Sequence, residues 1–221
     1  MTEILPTITS TAGDWREKIQ EATALGLKRV CFFPTMIPVD ERPEAYRLLE
    51  GSGIEEIPFV HLRSDFTAAE IDYLIRRFHT GRFNIHVLEE YPWPEGLPDY
   101  RDRVYVENTT YRLDEDVKHW AGLCLDVSHL EAARLVLPSL YEHVLGLLAN
   151  TPVGCWHVSA ISSTWAGPPR RPDRHRLEKL SELDYAAQYR KWLPPVVAME
   201  LENSLAEQVE AAAYLKKLLA A

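Results

Sequence analysis

The chain has no apolar run approaching the 18 residues that a membrane-spanning helix needs. Its opening residues, MTEILPTITSTAGDW, lack a basic segment and a long apolar stretch, so no secretory leader is expected. Cysteine is scarce. Cys31, Cys124 and Cys155 each sit in an apolar run, and none forms a C-x-x-C pair. An odd count of core thiols argues against a disulfide scaffold and for a reducing, cytoplasmic setting. Basic excess is also missing: 24 Lys+Arg stand against 33 Asp+Glu, for a formal net charge of -9. That disfavours a general nucleic-acid binder, although acids bound to metal would not count as free negative charge. Low-complexity tracts are absent.

What is present fits one ordinary core. The 221 residues are 46% hydrophobic and 26% charged, so a single domain over residues 1–221 is expected. Eight short apolar runs read as strands: residues 4–9, 27–34, 57–62, 83–88, 104–106, 123–125, 153–158 and 195–201. Helical patterns separate most of them, at residues 15–25, 43–49, 67–78, 113–120, 130–148, 180–192 and 204–219. Asp14 can cap the first, Thr67 with Glu70 forms a capping box on the third, and Pro138 is placed to kink the fifth. Residues 91–102, rich in Pro and aromatics, have room only for a turn or a stunted helix, which shortens the connection between the fourth and fifth strands. Strands alternating with helices predict a parallel sheet. Eight such units predict a compact α/β (β/α)8 TIM barrel, with an open doubly wound sheet as the alternative.

In that barrel the active site lies at the C-terminal strand ends. Chemistry-bearing residues collect there in this chain: His61, His86, Glu107, Asp126 with His129, His157, Asp173 with His175, and Glu200. A buried strand that runs into a carboxylate is hard to explain by packing, because an ionised acid away from water needs a partner or a metal. One histidine at a strand end is more often simply hydrogen-bonded; the joint pattern of imidazole and carboxylate suits Zn, Mn or Fe. His79, His119 and His143 fall in helical patterns and read as packing or surface residues. Glu202 shares a strand face with Glu200 by period two, but Glu200 directly follows the apolar run and is preferred. Near the same end, residues 167–176 (GPPRRPDRHR) are locally basic. Arg170, Arg171, Arg174 and Arg176 form either a solvated loop or a phosphate clamp. Trp93 and Trp165 either cover the barrel mouth or stack on a flat substrate ring.

The ordered pieces VHL at His61, NIHV at His86, VEN at Glu107, LDVSH at Asp126 and His129, WHVS at His157, DRH at Asp173 to His175, and AMEL at Glu200 resemble the xylose isomerase-like TIM-barrel superfamily. Within it the pattern looks most like the endonuclease IV (AP endonuclease family 2) type. The resemblance implies up to three divalent ions. His61, His86 and Glu107 would hold one. Glu107 as a bridge, with Asp126, His157 and Glu200, would hold a second. His129, Asp173 and His175 would hold a third. It implies phosphoester hydrolysis in which Glu107, Asp126 and Glu200 are central, with clustered metals polarising phosphoryl oxygens and acidifying a water. Arg170, Arg171, Arg174, Arg176 and Trp165 would bind substrate.

The chain is short for the endonuclease type and acidic. A small, phosphorylated, soluble metabolite is therefore a better expected substrate than duplex DNA, and some relatives of this fold are cobamide-remodelling phosphodiesterases. The sugar isomerase and epimerase branch of the superfamily gives the alternative: one divalent ion on Glu107, Asp126, His157 and Glu200, with Glu107 and Glu200 as proton-shuttling acids. A binding barrel without turnover is a third possibility.

Overall fold

The apolar runs pair in chain order and close on themselves. In the computed structural model, which describes residues 2–162, 166–167 and 171–220, the barrel strands are β1 (Glu3–Thr9), β2 (Cys31–Phe33), β3 (Phe59–His61), β4 (Arg82–Ile85), β5 (Val104–Glu107), β6 (Gly122–Asp126), β7 (Val153–Val158) and β10 (Val196–Met199). All neighbours are parallel, and β1 pairs with both β2 and β10, so the sheet has no free edge. This is a compact (β/α)8 barrel. A two-residue antiparallel pair lies beyond β7: β8 (Ala160–Ile161) with β9 (Asp173–Arg174). No helix among the described residues is long and apolar enough to cross a membrane.

The helices α1 (Trp15–Ala24), α2 (Arg42–Gly51), α3 (Ala68–Phe78), α4 (Val127–Val136), α5 (Pro138–Leu148) and α6 (Leu205–Ala220) surround the barrel. Thr67 and Glu70 form the expected capping box on α3. Asp14 precedes α1 but makes no side-chain cap; its carboxylate lies 3.6 Å from the buried Lys18 ammonium instead. The pattern at residues 130–148 is two helices, broken at Leu137. Pro138 lacks the N–H to continue one helix and starts the next as its first residue.

Two expected helices are corrected. Residues 113–120 hold only a 3₁₀ turn, Asp116–His119, and Leu180–Trp192 is a run of 3₁₀ turns. In the latter Leu183, Ala186 and Tyr189 are buried at every third residue, which matches three residues per turn rather than 3.6. The β4–β5 connection is cut to a 3₁₀ turn at Leu97–Tyr100, as its composition predicts.

Alternation along the strands makes two cores. Side chains facing outward pack under the helices. Those facing inward build a separate plug that includes Cys31, Phe33, Phe59, Cys124, Cys155 and Ala198. All three thiols are free and fully buried. Burial pushes the Cys31 and Cys124 thiols up, so they are poor nucleophiles. Phe33 and Phe59, in edge-on contact at 5.4 Å, each contribute about 1.5–3 kcal/mol of apolar burial. Above this plug, at the C-terminal strand ends, the inward-facing positions switch to histidine and carboxylate.

Candidate metal centre

Glu107, the last residue of β5, lies at the centre of this cluster and is 2% exposed. Its Oε2 lies 3.2 Å from His61 Nε2, 3.8 Å from His86 Nε2 and 3.4 Å from His157 Nδ1. Its Oε1 lies 3.6 Å from His129 Nδ1. The two oxygens of one carboxylate thus address different imidazoles. Burial alone would raise the Glu107 carboxyl, but His157 and His86 outweigh it and hold it well below the usual range.

The other donors close around this residue. His61 ends β3, and its Nδ1–H donates to the Leu62 carbonyl at 2.9 Å. That leaves the Nε2 lone pair free to face Glu107 and His86 Nε2, the latter at 3.1 Å. His86 follows β4, with Nδ1 3.3 Å from Glu90. A carboxylate behind a ligating imidazole is the usual supporting arrangement at metal sites. His157, in β7, is fully buried and lies 3.2 Å from Glu200. Burial lowers its basicity, but Glu107 and Glu200 raise it well above the ordinary value. Glu200, just past β10, is held at about 2: burial opposes ionisation, and His157 and His175 overcome it.

Asp126 also has a structural role that a ligand-only reading of the sequence misses. It ends β6 and caps α4, its Oδ1 accepting the N–H groups of Ser128 at 2.7 Å and His129 at 2.8 Å. Oδ2 is buried without a hydrogen-bond partner. Burial dominates and pushes this carboxyl up, against the pull of His129.

Among the described residues four overlapping donor groups could each hold an ion: His61, His86 and Glu107; Glu107, Asp126 and His129; Asp126, His157 and Glu200; and Glu107, Cys124 and His157. The orphaned polar atoms support a fit. Asp126 Oδ2 and His157 Nε2 are buried and make no hydrogen bond. An unpartnered buried acceptor costs about 1–3 kcal/mol, and a cation would satisfy these.

Of the third donor set implied by the resemblance, two members approach each other and one joins no donor group among the described residues. His129 Nε2 is 3.8 Å from Asp173 Oδ2, but His129 joins Glu107 and Asp126, and His175 enters none of the donor groups. Asp173, on the β8–β9 hairpin, gives its Oδ1 to Arg171 Nε at 2.8 Å. Glu202 also belongs to no donor group; its backbone N–H donates to the His175 carbonyl at 2.6 Å. The loop arginines are largely engaged with protein carboxylates: Arg171 with Asp173, and Arg174 with Glu178 and Glu182. Arg176 is exposed. Arg170 and Trp165 lie outside the described residues.

Structures with the same architecture are known. The chain aligns over 100% of its length, and 99% of theirs, with a xylose isomerase domain protein from Alicyclobacillus acidocaldarius, at 13% identity and a TM-score of 0.53. A candidate xylose isomerase from Rhodospirillum rubrum aligns over 98% of this chain and 99% of its own, at 14% identity and a TM-score of 0.51. The likeness is one of fold. No protein-family model matches the chain, and no curated protein matches it.

Two asparagines support the cluster, and neither is among the ligands expected from sequence. Asn84 Nδ2 donates to Glu107 Oε2 at 2.7 Å. Asn108 donates to the Asp126 carbonyl at 2.9 Å and accepts the Asp126 N–H at 2.7 Å. The signal was there. Asn84 shares the inward face with His86 at a spacing of two, and Asn108 directly follows Glu107. Asn84→Ala is expected to weaken metal affinity about 10–100-fold by freeing Glu107 to rotate. Competition against a chromogenic chelator measures this; unchanged affinity would remove Asn84 from the site.

Proposed function

We propose that the chain is a metal-dependent hydrolase of a small phosphodiester. The observation that carries this is Glu107, which is shared by two donor groups, one with His61 and His86 and one with Asp126 and His129; its Oε2 faces His61, His86 and His157 and its Oε1 faces His129, at 3.2–3.8 Å. A bridging carboxylate of this kind keeps two cations close, which in-line displacement at phosphorus uses and a single-ion sugar site does not need. His61, His86 and Glu107 would hold one ion, and Glu107, Asp126, His157 and Glu200 another. Bound Zn, Mn or Fe would supply Lewis acidity toward the phosphoryl oxygens and acidify the attacking water. The chain's own part is to fix the donors: Asn84 orients Glu107, Glu90 backs His86, and the N-terminus of α4 holds Asp126. With a net charge of -9 and the Arg171 and Arg174 guanidinium groups paired to acids, a small soluble substrate fits better than duplex DNA.

A second reading has its own observation. Asp126, His157 and Glu200 form a donor group without help from His61 or His86, and they belong to the four-ligand set that the isomerase and epimerase branch implies. The two readings separate on one preparation. Protein purified without chelator is expected to carry about two or more Zn, Mn or Fe ions per chain. It should hydrolyse bis(p-nitrophenyl) phosphate, lose that activity in EDTA, and regain it with added Zn or Mn. One Mn or Mg per chain, with ketose isomerisation and no phosphodiester turnover, would move the assignment to the isomerase.

A further inference from the structure

A cavity of about 500 Å³ opens beside the donor cluster. His61 and His86 line it, whereas Glu107, Asp126, His157 and Glu200 do not. It is an annex of the centre: a molecule held at the two histidines can extend a substituent into it.

The walls favour one kind of substituent. Met36, Leu62, Ile85, Tyr91 and Trp93 line the space. Trp93 is anchored, its Nε1–H donating to the His86 carbonyl at 3.0 Å and its ring edge-on to Trp120 at 5.0 Å. The Tyr91 ring lies 5.3 Å from that of His86. Met36 is 63% and Tyr91 54% exposed. A single exposed apolar side chain is ordinary, but these two line the same opening against a polar cluster.

The charged wall residues are already matched to each other. Arg63 Nε lies 3.2 Å from Asp65, and its Nη1 donates to the Thr35 carbonyl at 2.8 Å. Asp65 also takes Arg42 Nη1 at 2.6 Å. An ionic group entering here would give up water and compete with pairings already made. A flat ring loses little on leaving water and gains aromatic faces.

We propose that this cavity is a subsite for a flat aromatic or heteroaromatic group of the substrate, joined to the phosphoester held at the donor cluster; only that second half rests on the hydrolase reading. Equilibrium binding to the metal-loaded full chain tests it with three probes: diphenyl phosphate, dimethyl phosphate and the phosphate-free 1-naphthylmethanol. Diphenyl phosphate is expected to bind at least about tenfold more tightly than dimethyl phosphate. Tyr91→Ala and Met36→Asp should each cut that preference to within about twofold. Both side chains are more than half exposed, so these variants should fold, and thermal melts check that they do. Equal affinity for the two phosphates in the unmodified chain, or a preference that survives both substitutions, would overturn the subsite. Binding of naphthylmethanol that depends on Tyr91, with neither phosphate bound, would keep the subsite and remove the phosphodiester reading.

Discussion

Asp126→Asn is expected to lower metal-dependent turnover by about 10³-fold or more while leaving the barrel folded. The reason lies in the division of labour between its two oxygens. Oδ1 accepts two backbone N–H groups at the start of α4, and an amide oxygen can do the same. Oδ2 is buried, makes no hydrogen bond and lies 3.5 Å from His129 Nδ1, on a residue that shares donor groups with Glu107, His157 and Glu200. The substitution replaces it with an N–H2 group that cannot bind a cation. In the metal-free state the substituted chain should melt no lower than the original, because a buried carboxyl that resists ionisation has been removed. The contrast appears on adding metal. Zn or Mn at about 100 times its dissociation constant stabilises a competent chain by about 2.7 kcal/mol, and that increment should vanish in Asp126→Asn. Retained activity together with the metal-induced rise in Tm would remove Asp126 from the centre.

The largest expected loss of stability comes from one methyl group. Gly122 opens β6 at φ +148°, and a Cβ there would stand 2.2 Å from the Pro152 carbonyl oxygen. That oxygen cannot step aside, since it accepts the Leu123 N–H at 2.8 Å and so pins β6 to β7. Gly122→Ala combines a left-handed backbone with a backbone clash. It is expected to cost roughly 3 kcal/mol or more, a large share of the 5–15 kcal/mol typical of a domain. Gly146, in α5, meets nothing within 4 Å, and Gly146→Ala should be neutral or stabilising by up to about 1 kcal/mol. Urea unfolding of the pair measures both. A loss under about 1 kcal/mol for Gly122→Ala would mean that the β6–β7 junction yields.

The barrel was legible because its strands carry a chemical contradiction. Apolar runs that end in Glu107, Asp126 and Glu200, or reach His61 and His157, make sense only where strand ends converge. What escaped was local geometry. Residues 180–192 mix polar and apolar positions well enough for a helix, but Leu183, Ala186 and Tyr189 reach the core at a spacing of three, which fits a 3₁₀ run. The cap role of Asp126 was hidden because the same carboxylate suited a metal. Nothing in the sequence around Asp173 shows that the β8–β9 hairpin turns its Oδ1 toward Arg171. Nor does a run of arginines reveal that acids four and eight residues downstream of Arg174 occupy its guanidinium.

The closing seam has a consequence for how the molecule comes into being. Glu3 pairs with Val196, and Gln208 clasps the backbone of Thr7 across 201 residues. A chain emerging in order must therefore carry β1 with one side unpaired until nearly all the remaining strands exist. Closing so long a loop comes late and slowly, and in the interval the exposed edge is open to pairing with another chain. Yield during synthesis should therefore depend more on how quickly β10 arrives than on how stable the finished barrel is.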